Sequence, residues 1–234
     1  MKALIFDVDD TLYDQVQPFQ RAIANFLPLN DEEEIVALYK TFRKRADEVF
    51  VASARGEMSM KDMHIYRMKK ALEDRGYFVT DQMAYEIQEA YQKEQGQLEL
   101  MAGAESLFAY CQKNGIQLGL ITNGPHLHQL RKIQALDLHQ WIPENRTIIS
   151  GQVGVMKPST EIFRMMETQL ALPPEEICYV GDSFENDIVG AKGAGWKAIW
   201  LNHRKRQCSD YSVTPDATIT KLEEVQDWLR KTRK

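Results

Sequence analysis

The sequence has few cysteines, no excess of basic residues and no long apolar run. Its three cysteines, Cys111, Cys178 and Cys208, form no CxxC pair, which argues against a disulfide framework and against a zinc finger. Lys and Arg number 29 against 34 Asp and Glu, for a net charge of −5, so a nucleic acid polymer or an anionic membrane is a disfavoured partner. No window approaches the roughly 18 apolar residues of a membrane span, and the apolar stretch after Lys2 reaches Asp7 too soon for a signal peptide. We therefore expect a soluble, cytoplasmic protein in a reducing compartment.

The remaining composition is that of an ordinary folded protein. Hydrophobic residues make up 44% and charged residues 27% of the 234 positions, which argues against a disordered chain. This length accommodates one compact domain together with a smaller insertion. The basic run at 203–206 is predicted to be a solvated loop. The composition specifies no oligomeric state.

Four short apolar runs predict strands that are buried on both faces, which is typical of a parallel sheet. They cover residues 3–6, 116–121, 177–180 and 198–201. Helical patterns separate the later runs, and this alternation predicts an α/β fold with a doubly wound, Rossmann-like parallel sheet. Residues 147–150 and 217–220 are candidates for further strands, and a closing helix is predicted over 223–230.

The interval between the first two predicted strands is too long for a simple connection. A strand–helix–strand unit takes about 30 residues, whereas residues 7–115 separate these two strands. The surplus must be an insertion. We predict an α/β core made of residues 1–14 and 97–234, with a helical domain of residues 15–96 inserted between strands one and two.

The inserted segment has the pattern of several amphipathic helices. Apolar residues recur at helical spacing from Ile35 onwards. Ser59 and Asp62 have the spacing of a capping box at the start of a helix over 60–72. Asp81 is the predicted N-cap of the next helix.

Acidic side chains follow two of the predicted strands at their carboxyl ends, where ligands bind in open α/β sheets. Asp7 and Asp9 are two residues apart, so an extended backbone points both to the same side. Asp182 follows the third strand, and Asp187 comes about one helical turn later. Converging carboxylates raise one another's pKa or require a counter-ion. All-carboxylate ligation with room for water suits Mg²⁺, so we predict a magnesium site here.

Groups suited to an anion lie beside these acids in the sequence. Thr122 offers a hydroxyl, and Asn123 leads to Pro125, the predicted first residue of a helix whose amides could bind an anion. Lys157 is kept out of helical conformation by the following Pro158. Carboxylates, Mg²⁺, a hydroxyl, a lysine and a helix N-terminus together are typical of phosphoryl transfer. One carboxylate can attack phosphorus, while a second can protonate the leaving alcohol and then activate water.

These segments resemble the four motifs of the haloacid dehalogenase (HAD) superfamily. Residues 7–11 (DVDDT) resemble motif one, 121–124 (ITNG) motif two, 154–158 (GVMKP) motif three and 181–187 (GDSFEND) motif four. The insertion between motifs one and two resembles the helical C1 cap of subfamily I. The resemblance implies a HAD core with an inserted α-helical cap domain.

The resemblance also implies catalytic and metal-binding roles. Asp7 would be the nucleophile and a Mg²⁺ ligand. Asp9 would be the general acid and base, with its backbone carbonyl on the metal. Asp182 would ligate Mg²⁺, and Asp187 would do so through water or would orient Lys157.

The phosphoryl group would, by the same resemblance, be held by Thr122 and Lys157 with help from the amide of Asn123. Asp9 also indicates the branch of the superfamily. Dehalogenases of this superfamily lack an acid two residues after the nucleophile and need no Mg²⁺, because a halide leaves without a proton. Asp9 therefore favours cleavage of a phosphate ester.

The sequence thus predicts a Mg²⁺-dependent phosphatase that acts on a small phosphorylated metabolite through an aspartyl-phosphate. Residues 122–138 and 154–163 resemble pyrimidine 5′-nucleotidases, so a nucleoside 5′-monophosphate is the first substrate to consider. A sugar phosphatase or a phosphomutase is an alternative within the same chemistry. A receiver-like signalling module also gathers acids, a threonine and a lysine around Mg²⁺, but the long insertion argues against a single compact domain. A haloacid dehalogenase is the remaining alternative.

Overall fold

The computed structural model describes residues 1–208 and 212–232, and the chain divides into two compact units. One unit comprises Met1–Asp14 together with Glu99–Lys234, and the other comprises Gln15–Leu98. The sequence predicts that the inserted domain ends at residue 96, whereas in the structure it ends at Leu98.

The unit of residues 15–98 is built from four helices that pack around aromatic side chains. These helices are α1 (Val16–Ala24), α2 (Glu32–Ala54), α3 (Met60–Asp74) and α4 (Asp81–Glu94). Phe19 is fully buried, and its ring centroid lies 5.3 Å from that of Tyr39, 5.1 Å from that of Phe42 and 5.5 Å from that of Tyr91. Aromatic pairs at such distances contribute beyond the area they bury. The amphipathic pattern seen in the sequence therefore produces a helical unit with its own core.

Side-chain caps begin two of these helices. The hydroxyl of Ser59 accepts a hydrogen bond from the backbone N–H of Asp62 at 3.1 Å, as the sequence predicts. The prediction for α4 is wrong by one residue, because Thr80 accepts the N–H of Met83 at 3.2 Å and Asp81 is already helical. Thr80 has the extended backbone that a capping residue needs.

The other unit contains a six-stranded sheet in which all pairings are parallel. Its strands are β1 (Ala3–Phe6), β2 (Gln117–Thr122), β3 (Thr147–Ile149), β4 (Ile177–Gly181), β5 (Lys197–Leu201) and β6 (Ala217–Ile219). They lie in the order β3-β2-β1-β4-β5-β6. Every residue of β1 and of β4 is buried, which explains why these strands read as continuous apolar runs. The predicted strand 147–150 ends one residue early, because Ser150 begins a helix.

Helices cover both faces of this sheet, so the predicted doubly wound α/β fold is confirmed. They are α5 (Ala104–Lys113), α6 (His126–Ala135), α7 (Ser150–Val153), α8 (Thr160–Leu170), α9 (Gly190–Gly193) and α10 (Glu223–Thr232), with a π-helical turn at Phe184–Val189. Ile5 packs in one apolar cluster with Phe163 of α8. Phe6 points to the opposite face, where its ring lies 5.5 Å from that of Phe108 of α5. Within the described residues, no helix has the length and apolar character to cross a membrane.

Candidate active site

Three neighbouring strands bring the predicted site residues to one edge of the sheet. Phe6 at the end of β1 pairs with Leu120 of β2 on one side and with Val180 of β4 on the other. Because the strands are parallel and in register, the residues that follow them emerge at the same edge. Asp7 and Asp182 are therefore neighbours although they are far apart in the sequence.

Asp7, Asp182 and Asp187 form a buried acidic cluster. Their carboxylate oxygens lie within 4.8 Å of one another. Asp187 comes from the π-helical turn, and its Oδ2 accepts a hydrogen bond from the N–H of Ser183 at 2.9 Å. A Cβ on Gly181 would lie only 2.3 Å from the same Asp187 oxygen, so the glycine at the end of β4 lets this carboxylate approach.

Lys157 provides the positive charge inside this cluster. Its side chain is 2% exposed, and its Nζ donates hydrogen bonds at 2.7 Å to Asp7, to Asp187 and to the hydroxyl of Tyr179. The Tyr179 hydroxyl in turn donates to the carbonyl of Ile121 at 2.7 Å. Tyr179 was not among the predicted site residues, because in the sequence it is one more apolar residue of a buried strand. It anchors the lysine to the sheet.

The side chains of Asn123 and Thr122 differ in their hydrogen bonds. The side chain of Asn123 holds the backbone of Lys157, since its Oδ1 accepts the lysine N–H and its Nδ2 donates to the lysine carbonyl, both at 3.0 Å. The hydroxyl of Thr122 is buried and finds no hydrogen-bond partner in the described part of the chain. A buried hydroxyl without a partner is costly. An anionic oxygen bound at this edge would satisfy it.

The acidic cluster has the charge and the donor set that a divalent cation requires. Burial raises the pKa of Asp7 to about 7 and that of Asp182 to about 8, and in both cases the neighbouring carboxylates add to the rise. Burial opposes the charge of Lys157 as well, but Asp187 and Asp7 outweigh it and hold its pKa above the usual value. The three carboxylates outnumber the one ammonium that lies between Asp7 and Asp187, so a cation bound here would favour their ionised forms. All the donors are carboxylate oxygens, which suits Mg²⁺ better than zinc.

Asp9 lies outside this cluster and is held by a second lysine. Both oxygens of its carboxylate accept hydrogen bonds from Lys132 Nζ, at 2.6 and 2.8 Å, and Gln129 Nε2 donates at 2.7 Å. The Tyr13 hydroxyl donates to the same carboxylate at 2.5 Å. Burial alone would raise the pKa of Asp9, but Lys132 and these hydrogen bonds outweigh it and hold the pKa below its ordinary value. The structure therefore brings three of the four predicted acids together and keeps the carboxylate of Asp9 paired with α6.

The basic run at 203–206 is a loop, as predicted, and Lys205 and Arg206 are exposed, but Arg204 is not solvated. The guanidinium of Arg204 contacts Asp14 and lies 2.9 Å from Asp10, and its side chain is 11% exposed. Arg206 contacts Asp182 and lies 3.2 Å from Asp10. The loop follows β5, whose carboxyl end lies at the acidic edge of the sheet, so these arginines offset its negative charge. The position of the run directly after a predicted strand is the signal that could have identified this role.

Comparison with known proteins points to one hydrolase family. Residues 1–195 match the family described as haloacid dehalogenase-like hydrolase. A phosphoserine phosphatase of Thermus thermophilus is 28% identical over 254 residues, covering 96% of this chain and 98% of the relative. A glyceraldehyde 3-phosphate phosphatase of Methanothermobacter thermautotrophicus is 28% identical over 246 residues, covering 96% and 99%. The pyrimidine 5′-nucleotidase YjjG of Escherichia coli is 32% identical, but over only 56% of this chain and 57% of the relative.

A solved structure supports the same fold. The HAD-hydrolase YfnB of Bacillus subtilis, in a structure bound to magnesium, matches with a TM-score of 0.67 and 23% identity, covering 97% of this chain and 98% of that one. At this level of identity the likeness concerns the fold.

Proposed function

The chain belongs to the haloacid dehalogenase-like hydrolases, and we propose that it is a Mg²⁺-dependent phosphatase that hydrolyses the phosphate monoester of a small metabolite. Asp7 is the nucleophile in this proposal. The observation that carries it is the buried ammonium of Lys157, held 2.7 Å from both Asp7 and Asp187 beside a third carboxylate. Such a site can bind a metal and a phosphate together. The full-length relatives, which are phosphatases, support the same reaction class.

The metal would be held by the carboxylates of Asp7, Asp182 and Asp187, with the backbone carbonyl of Asp9 as a further ligand. Mg²⁺ bound by these residues would supply positive charge that offsets the repulsion between the acids and an incoming phosphate. Arg206, which contacts Asp182, balances the same carboxylate from the loop after β5.

The side chains of this site account for both halves of a hydrolysis. In the first half, an oxygen of Asp7 attacks phosphorus, the bond from phosphorus to the leaving oxygen breaks, and Asp9 gives that oxygen its proton. In the second half, Asp9 takes a proton from water, the water oxygen attacks phosphorus, and the bond to Asp7 breaks to release inorganic phosphate. The second half uses the carboxylate form of Asp9, which Lys132 stabilises, whereas the first half uses its carboxylic acid form, which the same contact disfavours. Lys157 and the unpartnered hydroxyl of Thr122 hold the phosphoryl oxygens.

The names of the relatives support a proposal for the substrate class. Two relatives that align over nearly the whole chain act, by their names, on phosphoserine and glyceraldehyde 3-phosphate, which favours a three-carbon phosphate monoester. The nucleotidase aligns over about half of the chain, so a nucleoside 5′-monophosphate is the second candidate.

A substrate panel tests the proposal directly. Purified protein with Mg²⁺ is incubated with phosphoserine, glyceraldehyde 3-phosphate, sugar phosphates and pyrimidine nucleoside monophosphates, and the released inorganic phosphate is ranked by kcat/KM. We expect turnover of at least one of these monoesters. If none of them released phosphate, the phosphatase assignment would fail. Halide release from 2-chloropropionate without metal would indicate a dehalogenase instead.

A matched pair of variants tests the role of the nucleophile. Asp7→Asn should abolish phosphate release and leave the protein folded, because the amide cannot attack phosphorus. Asp227→Asn makes the same chemical change at a side chain that is 68% exposed, and it should leave turnover unchanged. Activity retained by Asp7→Asn would remove Asp7 as the nucleophile.

A further inference from the structure

The carboxylate of Asp9 is held in place by hydrogen bonds from several side chains. Its two carboxylate oxygens receive hydrogen bonds from Lys132, Gln129 and Tyr13. The side chains of Lys132 and Asp9 are only 11% and 18% exposed. An ion pair with so little exposure must offset the desolvation of both charges. The pair can do so only if its hydrogen bonds have good geometry.

Two of these donors come from one face of one helix. Gln129 and Lys132 are three residues apart on α6, so their side chains project from the same side. The amide of Gln129 also donates to the carbonyl of Asn123 at 2.7 Å. Asn123 in turn clamps the backbone of Lys157. The carboxylate of Asp9 is therefore tied to the same loop that positions the phosphate-binding lysine.

We propose that Lys132 and Gln129 are positioning residues that hold the Asp9 carboxyl group for proton transfer with the leaving oxygen and with water. The inference rests on the proposed function, since it needs Asp9 to act as the acid and the base. Proton transfer requires the carboxyl group to lie within hydrogen-bond reach of the oxygen that gains or loses the proton. A free aspartate side chain would sample several rotamers. The three donors select one of them.

The inference has a chemical signature that a merely structural ion pair lacks. When the bond from phosphorus to the leaving oxygen breaks, the electron pair stays on that oxygen, which then takes the proton from Asp9. A leaving group that forms a stable anion departs without much help, whereas a poorer one depends on the proton. Loss of Lys132 should therefore impair the reaction in proportion to the need for that proton.

The test compares two aryl phosphates of nearly the same shape. Phenyl phosphate and p-nitrophenyl phosphate differ by one nitro group, and the phenolate is the poorer leaving group. The steady-state kcat/KM of the Mg²⁺-loaded protein is measured for wild type, Lys132→Met, Lys132→Arg and Gln129→Leu. Arg131→Met, which removes an exposed cation from the same helix, is the matched control.

We expect the loss of activity in the variants to differ between the two substrates. Positioned acid–base groups contribute about 100- to 10,000-fold to rate, so we expect Lys132→Met to lose about tenfold more activity with phenyl phosphate than with p-nitrophenyl phosphate. Gln129→Leu should show the same bias more weakly, Lys132→Arg should restore part of the loss, and Arg131→Met should match wild type. In an Asp9→Asn background, adding Lys132→Met should change kcat/KM by less than about twofold, because coupled residues are not additive.

Three results for the variants would overturn the inference. An equal loss with both substrates, or no loss at all, would make the Lys132–Asp9 pair structural only. An additive loss in the double variant would show that Lys132 acts independently of Asp9. If wild type hydrolysed neither aryl phosphate nor any metabolite of the panel, the proposed function would fail and this inference with it. Turnover by wild type therefore separates the two failures.

Discussion

Lys157→Met should destabilise the folded protein strongly. The ammonium is almost completely buried and lies 2.7 Å from Asp7, Asp187 and the hydroxyl of Tyr179. Methionine keeps much of the volume but leaves two buried carboxylates without their cation. Breaking a buried ion pair by removing one partner costs about 3–5 kcal/mol. We expect a loss of that size in the free energy of unfolding at pH 8 in the presence of EDTA.

The loss should depend on pH in a defined direction. The pKa of Asp7 in the folded protein is raised by burial to about 7, above the ordinary value of 3.8 that applies to the unfolded chain. A raised pKa means that the folded state binds more protons, so its contribution to stability is present at low pH and is lost as the pH rises towards 7. Removing Lys157 raises the pKa of this carboxyl group further. The deficit of the variant should therefore be largest at pH 8 and should shrink at pH 5, where the protonated group needs no cation.

The assay is urea unfolding at pH 5 and pH 8, with the slope compared between variants to verify that the same surface unfolds. Lys192→Met is the matched control, because Lys192 pairs with Asp216 at 2.9 Å but the two side chains are 32% and 26% exposed. A pair of that exposure contributes about 1 kcal/mol or less. Combining Lys157→Met with Asp187→Asn should recover part of the loss, since one of the two carboxylates left without a cation is also removed.

Two results would refute this reasoning. Lys157→Met could cost no more than Lys192→Met at pH 8, which would mean that the buried carboxylates do not depend on the ammonium. Its deficit could instead grow towards pH 5, which would contradict the raised pKa of Asp7. Either result would remove the electrostatic argument for a cation at this cluster.

Three further outcomes are expected. Thr122→Val should lower kcat/KM for phosphate release by about tenfold or more, as expected for a lost hydrogen bond to a charged group. It should not lower the thermal midpoint of unfolding, because the hydroxyl finds no partner in the described residues. A lower midpoint would show that the hydroxyl has a structural role. Phe19→Ala should destabilise the protein by about 3–5 kcal/mol in urea unfolding, whereas Phe78→Ala, at a side chain 85% exposed, should change it by less than about 0.5 kcal/mol. EDTA should abolish phosphate release, and added Mg²⁺ should restore it; activity that survives EDTA would contradict the metal requirement.

Much of the fold could be predicted because its signals are local. A strand buried on both faces reads as a short apolar run, so β1 was predicted with its observed bounds and β2 within one residue. The start of helix α3 is predicted by the capping residues Ser59 and Asp62. The error at α4 is of the same local kind, since Thr80 and Asp81 are both good caps and only the backbone conformation selects between them.

Asp7 and Asp182 could also be predicted as site residues, because they directly follow strands. The parallel order of β2, β1 and β4 then carries Asp7 and Asp182 to one edge. The contacts that hold these groups could not be predicted. Tyr179 is indistinguishable in the sequence from its apolar neighbours in β4, and only its position beneath Lys157 gives its hydroxyl a role.

The sequence by itself determined which chemical groups stand at the ends of the strands, since apolar runs and the polar residues after them are adjacent in the chain. The tertiary structure alone decided how those groups are paired. Lys132 lies 123 residues from Asp9, and Arg206 lies 24 residues from Asp182. Such contacts depend on the path of the whole backbone, because the energy of an ion pair is set by distance and burial in space rather than by spacing along the chain. The small excess of acidic over basic residues therefore does not describe the site, where the fold buries Lys132 and Lys157 against carboxylates.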